Sequence, residues 1–215
     1  TSPDILAKLF GSSNRVKIIR LFLLNPGKVF EPKNIFSRAK VSQQTGRREI
    51  SLLKSIGLIR PKNDFVAIAI RGEKSLPAGK QGKFKKKRIS GLALNESFPL
   101  IIGLKNFVLD SVPLSRDQLL KKLYKAGRMK LVILSGIFGQ ENSGANRIDI
   151  LVVGDVIKKG ILERVMREIE SEVGKELIYA AFNTQDFLYR LGMYDKFIRD
   201  ILDYPHEKIL DILHI

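Results

Sequence analysis

Charge divides this chain in two. Residues 1–130 carry 28 Lys and Arg against 8 Asp and Glu, a net of +20, whereas residues 131–215 carry 10 against 14, a net of −4. A surface charged only for solubility has no need of such segregation. The chain is therefore expected to form two units with different partners, the first facing a polyanion. Its 215 residues, 44% of them hydrophobic, supply enough apolar material for real cores. There is no cysteine, and the two histidines, His206 and His214, lie close to the end of the sequence. A disulfide framework and cysteine-ligated zinc are excluded, a histidine metal site has little to draw on, and no cofactor is expected. No run approaches the roughly 18 unbroken apolar residues of a membrane span, and Thr1-Ser2-Pro3-Asp4 lacks the basic-then-apolar layout of a signal peptide. A cytoplasmic protein with no membrane partner is the expectation.

The basic part opens with four short helical patterns. Asp4 to Phe10 places Ile5, Leu6 and Leu9 on one side, and Gly11 stops it. A second begins at the caps Ser12/Ser13, with Val16, Ile18, Ile19, Phe22 and Leu23 apolar, Arg15, Lys17 and Arg20 pointing elsewhere, and Asn25-Pro26-Gly27 as the stop. Pro32 opens a third through Ala39 with Ile35 and Phe36 inward, and Lys40-Val41 reads as a tight turn. Ser42 then caps a fourth, Gln43 to Ile56, with Ile50, Leu53 and Ile56 on its buried side. The exposed N-terminal half of that helix carries Gln43, Gln44, Thr45, Arg47, Arg48 and Ser51 beside Ser42. Arg suits guanine and Gln suits adenine in the major groove, so these seven residues are the candidate base- and phosphate-reading set. Arg47 and Arg48 come first, although a solvated arginine on a surface helix has the same sequence.

After that helix come Phe65 to Arg71 and Lys83 to Ile89, two strand patterns separated by a Gly/Pro-rich stretch from Gly72 to Gly82. The second strand is strongly basic: Lys83, Lys85, Lys86, Lys87 and Arg88 are candidate phosphate contacts. The connecting stretch, long and poor in apolar residues, is expected to order only on a partner. Leu-Leu-Lys-Ser-Ile-Gly-Leu-Ile (52–59), running from the fourth helix into this hairpin, resembles the winged helix-turn-helix transcriptional regulators of the ArsR/MarR-like type. The resemblance implies a double-stranded DNA partner, with the fourth helix in the major groove and the hairpin as the wing. A further apolar helix, Ser97 to Leu109, reads as a linker or dimer seam, or equally as a helix packed on the first domain; a homodimer is a candidate state.

In the acidic part, Ser115 caps a helix to about Ala126, and Met129 to Leu134 forms a buried strand leading into Ser135-Gly136-Ile137-Phe138-Gly139. Ile148 to Gly154 makes a second strand, Ile161 to Val173 a helix, Glu176 to Phe182 a strand and Gln185 to Leu202 a long helix, after which Pro205 breaks the chain. The paired strands around a glycine turn resemble the minimal nucleotidyltransferases, small relatives of DNA polymerase β, over about residues 115–205. That family has Gly-Ser, nine intervening residues, then Asp-x-Asp, with a third carboxylate on a later strand; the carboxylates hold two Mg²⁺ ions. Here the spacing survives without the chemistry. Gly136 fits the glycine, Ile137 stands in place of serine, Arg147 replaces the first aspartate, Asp149 remains, and the later strand offers no clear third carboxylate.

The fold expected is therefore α+β: a winged helix-turn-helix over 1–95, a linker helix over 96–114, and a small nucleotidyltransferase-like α/β domain over 115–215. The second domain is expected to be inactive, since one carboxylate beside an arginine cannot position two divalent cations. Gly136, Gly139, Arg147 and Asp149 form a candidate nucleotide-binding remnant with no metal, and dimerisation, ligand sensing or a protein partner are roles left to it. The function expected is sequence-specific transcriptional regulation. Two alternatives stand beside it: an active, antitoxin-like nucleotidyltransferase acting on a protein or RNA, and an RNA-binding protein. Against the last, Phe65 and Phe84 are the aromatics that the hairpin strands offer for stacking.

Overall fold

A computed structural model describes residues 5–69, 84–109, 114–138 and 148–215. They form a mixed α+β structure in two compact units, one within residues 3–111 and one within 112–215. Among the described residues no helix is long and apolar enough to cross a membrane.

The first unit comprises α1 (Ile5–Phe10), α2 (Ser13–Leu23), α3 (Pro32–Ala39), α4 (Gln43–Ser55), β1 (Ile59–Ala69), β2 (Phe84–Leu94) and α5 (Ile101–Leu109). Local chemistry accounts for most of these bounds. Ser12 Oγ accepts the Arg15 amide at 3.2 Å and caps α2. Pro32, with no amide hydrogen to lose, occupies the first turn of α3. Lys40 adopts a left-handed φ of 50° and turns the chain out of α3, and Ser42 Oγ accepts the Thr45 amide to start α4. Leu6, Val16, Ile19, Phe22, Ile35, Phe36, Ile50, Leu53, Leu58 and Leu94 share one core. Phe30 pairs with Leu92 through two backbone hydrogen bonds of 2.9 Å, which ties the α2–α3 connection to the hairpin.

Several details differ from the sequence expectation. The hairpin strands are longer than expected, pairing from Ile59↔Leu94 out to Ala69↔Phe84. Ile56, expected on the buried side of α4, is 52% exposed: Gly57, at φ +79°, reverses the chain there and Leu58 enters the core instead. Arg20, expected to point away from the core, is buried. Helix α5 starts at Ile101, not Ser97, because Asn95 to Leu100 forms successive turns closed by Phe98 N–H to Asn95 O and Ile101 N–H to Phe98 O. Val108 lies in the first unit's core, with Phe98, Ile101 and Leu104 packed against it. The stretch from Gly72 to Gly82, expected to order on a partner, lies outside the described residues.

The second unit comprises α6 (Arg116–Leu123), β3 (Arg128–Leu134), β4 (Ile150–Asp155), α7 (Lys159–Val173), β5 (Tyr179–Phe182), α8 (Thr184–Gly192), α9 (Lys196–Asp203) and β6 (Glu207–Asp211). Ser115 and Gln118 form a reciprocal capping box on α6. The sheet runs β5-β4-β3-β6, with β3 antiparallel to both neighbours and β5 parallel to β4 through the α7 crossover. The central strands are buried without alternation, as expected of strands covered on both faces. Phe187, Ile198 and Ile201 of α8 and α9 pack against Leu131, Ile133, Leu151 and Val153. The alternate residues Val132, Ile150 and Val152 are equally buried, and α6 and α7 turn apolar sides inward through Leu119, Leu123, Leu162, Val165 and Ile169.

The expected helix from Gln185 to Leu202 is two helices. Gly192 ends the first, Tyr194 takes a left-handed φ of 53°, and Asp195 caps the second by accepting the Phe197 amide at 2.8 Å. Strand β6, beyond Pro205, was not expected from the sequence; it completes the exposed edge of β3.

Where α3 and α4 meet, a Cβ on Gly46 would overlap the ring of Phe36. Gly→Ala within an exposed helix usually gains about 1 kcal/mol. Here the buried ring reverses the sign, and Gly46→Ala is expected to destabilise the first unit by about 1–3 kcal/mol in urea denaturation followed by circular dichroism. A gain in stability would show that Phe36 can yield.

Candidate functional site

Helix α4 has two unlike faces. Gly46, Glu49, Ile50 and Leu53 are buried, whereas Gln43, Gln44, Arg47, Arg48 and Ser51 are exposed. Ser42 is exposed at the cap, and Thr45, half-buried, accepts from the Ser42 hydroxyl at 2.9 Å. Gln43, Arg47, Ser51 and Lys54 line one wall of an open groove of about 700 Å³. Glu31, Pro32 and Lys33 at the start of α3, Ser90 of β2, and the core residues Phe36 and Ile50 line the rest. Of the candidate α4 residues the groove brings together Gln43, Arg47 and Ser51, with Lys33 and Lys54 added to the cations foreseen, while Gln44 and Arg48 are exposed outside it.

Glu49 fixes that surface, and the sequence reading missed it. Its Oε1 accepts the Ser12 hydroxyl at 2.7 Å and its Oε2 accepts Arg15 Nε at 2.7 Å; Arg15 Nη1 also reaches the Phe10 carbonyl at 2.6 Å. A buried carboxylate costs free energy unless it is both paired and hydrogen-bonded, and this one is. Its side chain is 9% exposed. The signal was an acid on the apolar side of α4, next to Ile50 and four residues before Leu53.

On the hairpin, Lys85, Lys86, Lys87 and Arg88 occupy successive positions of β2, opposite Ile68, Ala67, Val66 and Phe65 of β1. Arg88 and Phe65 are exposed. Lys83 lies outside the described residues.

In the second unit, Gly136 opens a 3-10 turn with φ +56°, and a Cβ there would press on the Asp149 carboxylate. Asp149 is buried, and backbone amides occupy both of its oxygens. Ile137 N–H donates to Oδ1 at 3.0 Å and Ile178 N–H to Oδ2 at 2.8 Å. The Asp149 amide in turn donates to Ile178 O. The aspartate that the resemblance singles out therefore ties the β3 turn, the start of β4 and the approach to β5. Gly139 and Arg147 lie outside the described residues. Among the described residues, no group of three or more His, Cys, Asp or Glu is arranged to hold a metal ion. Asp155, at the other end of β4 and not singled out by the sequence, has its pKa lowered, chiefly by the Thr184 hydroxyl at 2.6 Å and then by Lys130 at 2.9 Å.

Comparison of the chain with family models, with curated proteins and with solved structures gives no match in any of the three.

Two stability tests follow from these carboxylates. Arg15→Ala leaves Glu49 buried with Ser12 alone and is expected to cost the first unit about 2–3 kcal/mol, below the range for fully buried pairs because Arg15 already reaches water. Glu49→Ala removes the buried charge itself and should cost less; urea denaturation in which Glu49→Ala cost more would contradict this account. Asp149→Ala leaves two amides without their acceptor and is expected to cost about 2–4 kcal/mol. Tyrosine fluorescence reads that loss, since all five tyrosines lie in the second unit; an unchanged transition would mean that water replaces the carboxylate.

Proposed function

We propose that the first unit is a winged helix-turn-helix that binds double-stranded DNA, and that the chain is a sequence-specific transcriptional regulator. The observation that carries this reading is the division of α4. Its inner face is locked by Glu49, Ile50 and Leu53, while its outer face presents Gln43, Gln44, Arg47, Arg48 and Ser51, all exposed among the described residues. A helix held in this way can enter a major groove with its N-terminal residues at the base edges. The α3–turn–α4 order, the hairpin directly after α4 and the Phe30–Leu92 bridge at its root all agree with the winged arrangement. Four consecutive cations on β2 suit a phosphate backbone.

The second unit is proposed to be a nucleotidyltransferase-like domain without activity. Asp149, the carboxylate retained from the motif, spends both oxygens on backbone amides. Ile178, which lies beside it on the approach to β5, carries no carboxylate, and the sequence has Ile137 and Arg147 where serine and aspartate would be needed. Dimerisation, ligand sensing or partner binding are the roles that fit such a domain. The exposed Leu100, just before α5, and Ile102 and Phe107 within it are consistent with a homodimer that meets two half-sites.

The test is binding of the full chain to a random-sequence duplex of about thirty base pairs and to the matched single strands, across a salt titration. Duplex binding should dominate and fall steeply with salt. Replacing Lys85, Lys86, Lys87 and Arg88 by Gln should lower the logarithmic salt slope by about 3 to 4. Arg47→Ala with Arg48→Ala should remove the preference for sequences selected by the wild type. Salt-insensitive binding, or a preference for single strands, would refute this reading.

A further inference from the structure

The charge boundary and the structural boundary of the chain do not coincide. Positive charge predominates up to residue 130, whereas the second unit begins at residue 112. Residues 112–130 therefore belong to the second unit, and they carry 6 Lys and Arg against a single acid, Asp117. The remainder of that unit, residues 131–215, carries 10 cations against 14 acids. The second unit is thus close to neutral as a whole and strongly uneven within itself.

The fold gathers part of this charge, with two further lysines, at one corner. A 3-10 turn, Tyr124–Ala126, leads into β3, and the chain leaving β4 packs directly on it. Lys158 N–H donates to Ala126 O at 2.8 Å, Arg128 is the register partner of Asp155, and a Cβ on Gly127 would lie 2.9 Å from Val156 O. Segments 124–128 and 155–159 are therefore in backbone contact, and Lys125, Arg128, Lys158 and Lys159, all exposed, stand on them. The acids beside them are engaged elsewhere. Asp155 accepts the Thr184 hydroxyl at 2.6 Å and pairs with Lys130 at 2.9 Å, and Glu163, one turn along α7, pairs with Arg167 at 3.6 Å. The corner lies at the far end of β3 and β4 from Gly136 and Asp149, about 20 Å away along the strand, so it is separate from the nucleotidyltransferase-like motif.

Like charges held side by side repel, and a polyanion laid across them removes that cost while releasing its own counterions. A membrane surface would need an apolar face next to the cations, and the large apolar residues exposed on these two segments are Val156 and Tyr124 alone. A regularly charged phosphate backbone needs no such face. The second unit is covalently attached to the first, so a surface too weak to hold nucleic acid by itself still adds to the binding of the whole chain. We infer that this corner of the second unit is a second, sequence-independent contact with the phosphate backbone of the duplex that the first unit binds. This rests on the DNA-binding reading above. It gives the second unit a part in affinity, where α4 supplies specificity, and it extends the bound DNA beyond the segment that the first unit covers.

The test combines Lys125→Gln, Arg128→Gln, Lys158→Gln and Lys159→Gln in the full chain. Binding to a long duplex, selected by the wild type from a random pool, is measured across a salt titration. The logarithmic salt slope should fall by about 3 to 4 relative to the wild type. The ratio of affinities for selected and random duplex should stay unchanged, because α4 is untouched. All four positions are exposed, and an unaltered urea transition in tyrosine fluorescence checks that the second unit keeps its fold. The absence of cysteine allows a direct probe as well. Val156→Cys, 81% exposed within the corner, and Met193→Cys, 65% exposed between α8 and α9, are each labelled with a photocrosslinker. Val156→Cys should crosslink to the duplex and Met193→Cys should not. A steep wild-type slope that the four substitutions leave unchanged, or equal crosslinking from both cysteines, would overturn the second contact and leave the first unit's binding standing. Loss of polyglutamate binding with an unchanged DNA slope would also overturn it, and would assign the corner to an acidic protein. Salt-insensitive binding by the wild type, or a preference for single strands, would overturn both readings.

Discussion

The first unit depends on one buried carboxylate. A helix whose outer face is Gln43, Gln44, Arg47, Arg48 and Ser51 gains nothing from packing on that side, so its position must be set from within. Apolar contacts through Ile50 and Leu53 supply the driving force, but they tolerate small rotations and slips. Glu49 does not. Its two oxygens are satisfied by Ser12 and by Arg15, and Ser12 is itself the cap of α2. A rotation of α4 that removed either partner would leave a charge in the core, at a cost well above that of a misplaced methyl group. Gly46 works in the same direction, because the absence of a side chain there lets α4 close on the ring of Phe36. The presented surface is thus defined by its unexposed side.

A buried carboxylate also organises the second unit, by a different route. Glu49 is neutralised by a cation, whereas Asp149 is held by two backbone amides drawn from separate segments. Amides fixed in a turn and beside a strand pay little entropy to point at an anion, and together they can solvate it as water would. The consequence is structural: this carboxylate fastens the turn at Gly136 to the approach to β5.

What the sequence made legible was local. The bounds of α3, the caps Ser12, Ser42 and Ser115 and the left-handed turn at Lys40 follow from side chains acting within three or four residues of themselves. What it hid was set by distant partners or by weak signals. Glu49 meets Ser12 and Arg15 across 37 and 34 residues, and Asp149 meets Ile178 across 29. No window of sequence contains those pairs. The break between α8 and α9 was present locally as Gly192 followed by a capping Asp195, but the apolar period running through both helices masked it. Strand β6 is short and half-exposed, and it is a strand because β3 offers it an open edge. The same holds for the candidate site: the exposed face of α4 could be read from periodicity, while the groove that adds Lys33, Lys54 and Ser90 to it exists only once α3 and β2 have been brought alongside.

Composition finally constrains what the first unit needs from outside. With 22 cations and 7 acids in residues 3–111, no arrangement of internal ion pairs can compensate more than a minority of the positive charge. The second unit contrasts with it: Arg190 with Asp186 and Asp195, Arg199 with Asp203, and Lys130 with Asp155 show charge balanced within the fold. Excess charge of one sign raises the energy of the compact state by self-repulsion, and a ligand of opposite sign that binds the folded form lowers it again. A polyanion that bound the folded first unit would therefore also stabilise it. The cations are densest in sequence on β2, where Lys85, Lys86, Lys87 and Arg88 follow one another.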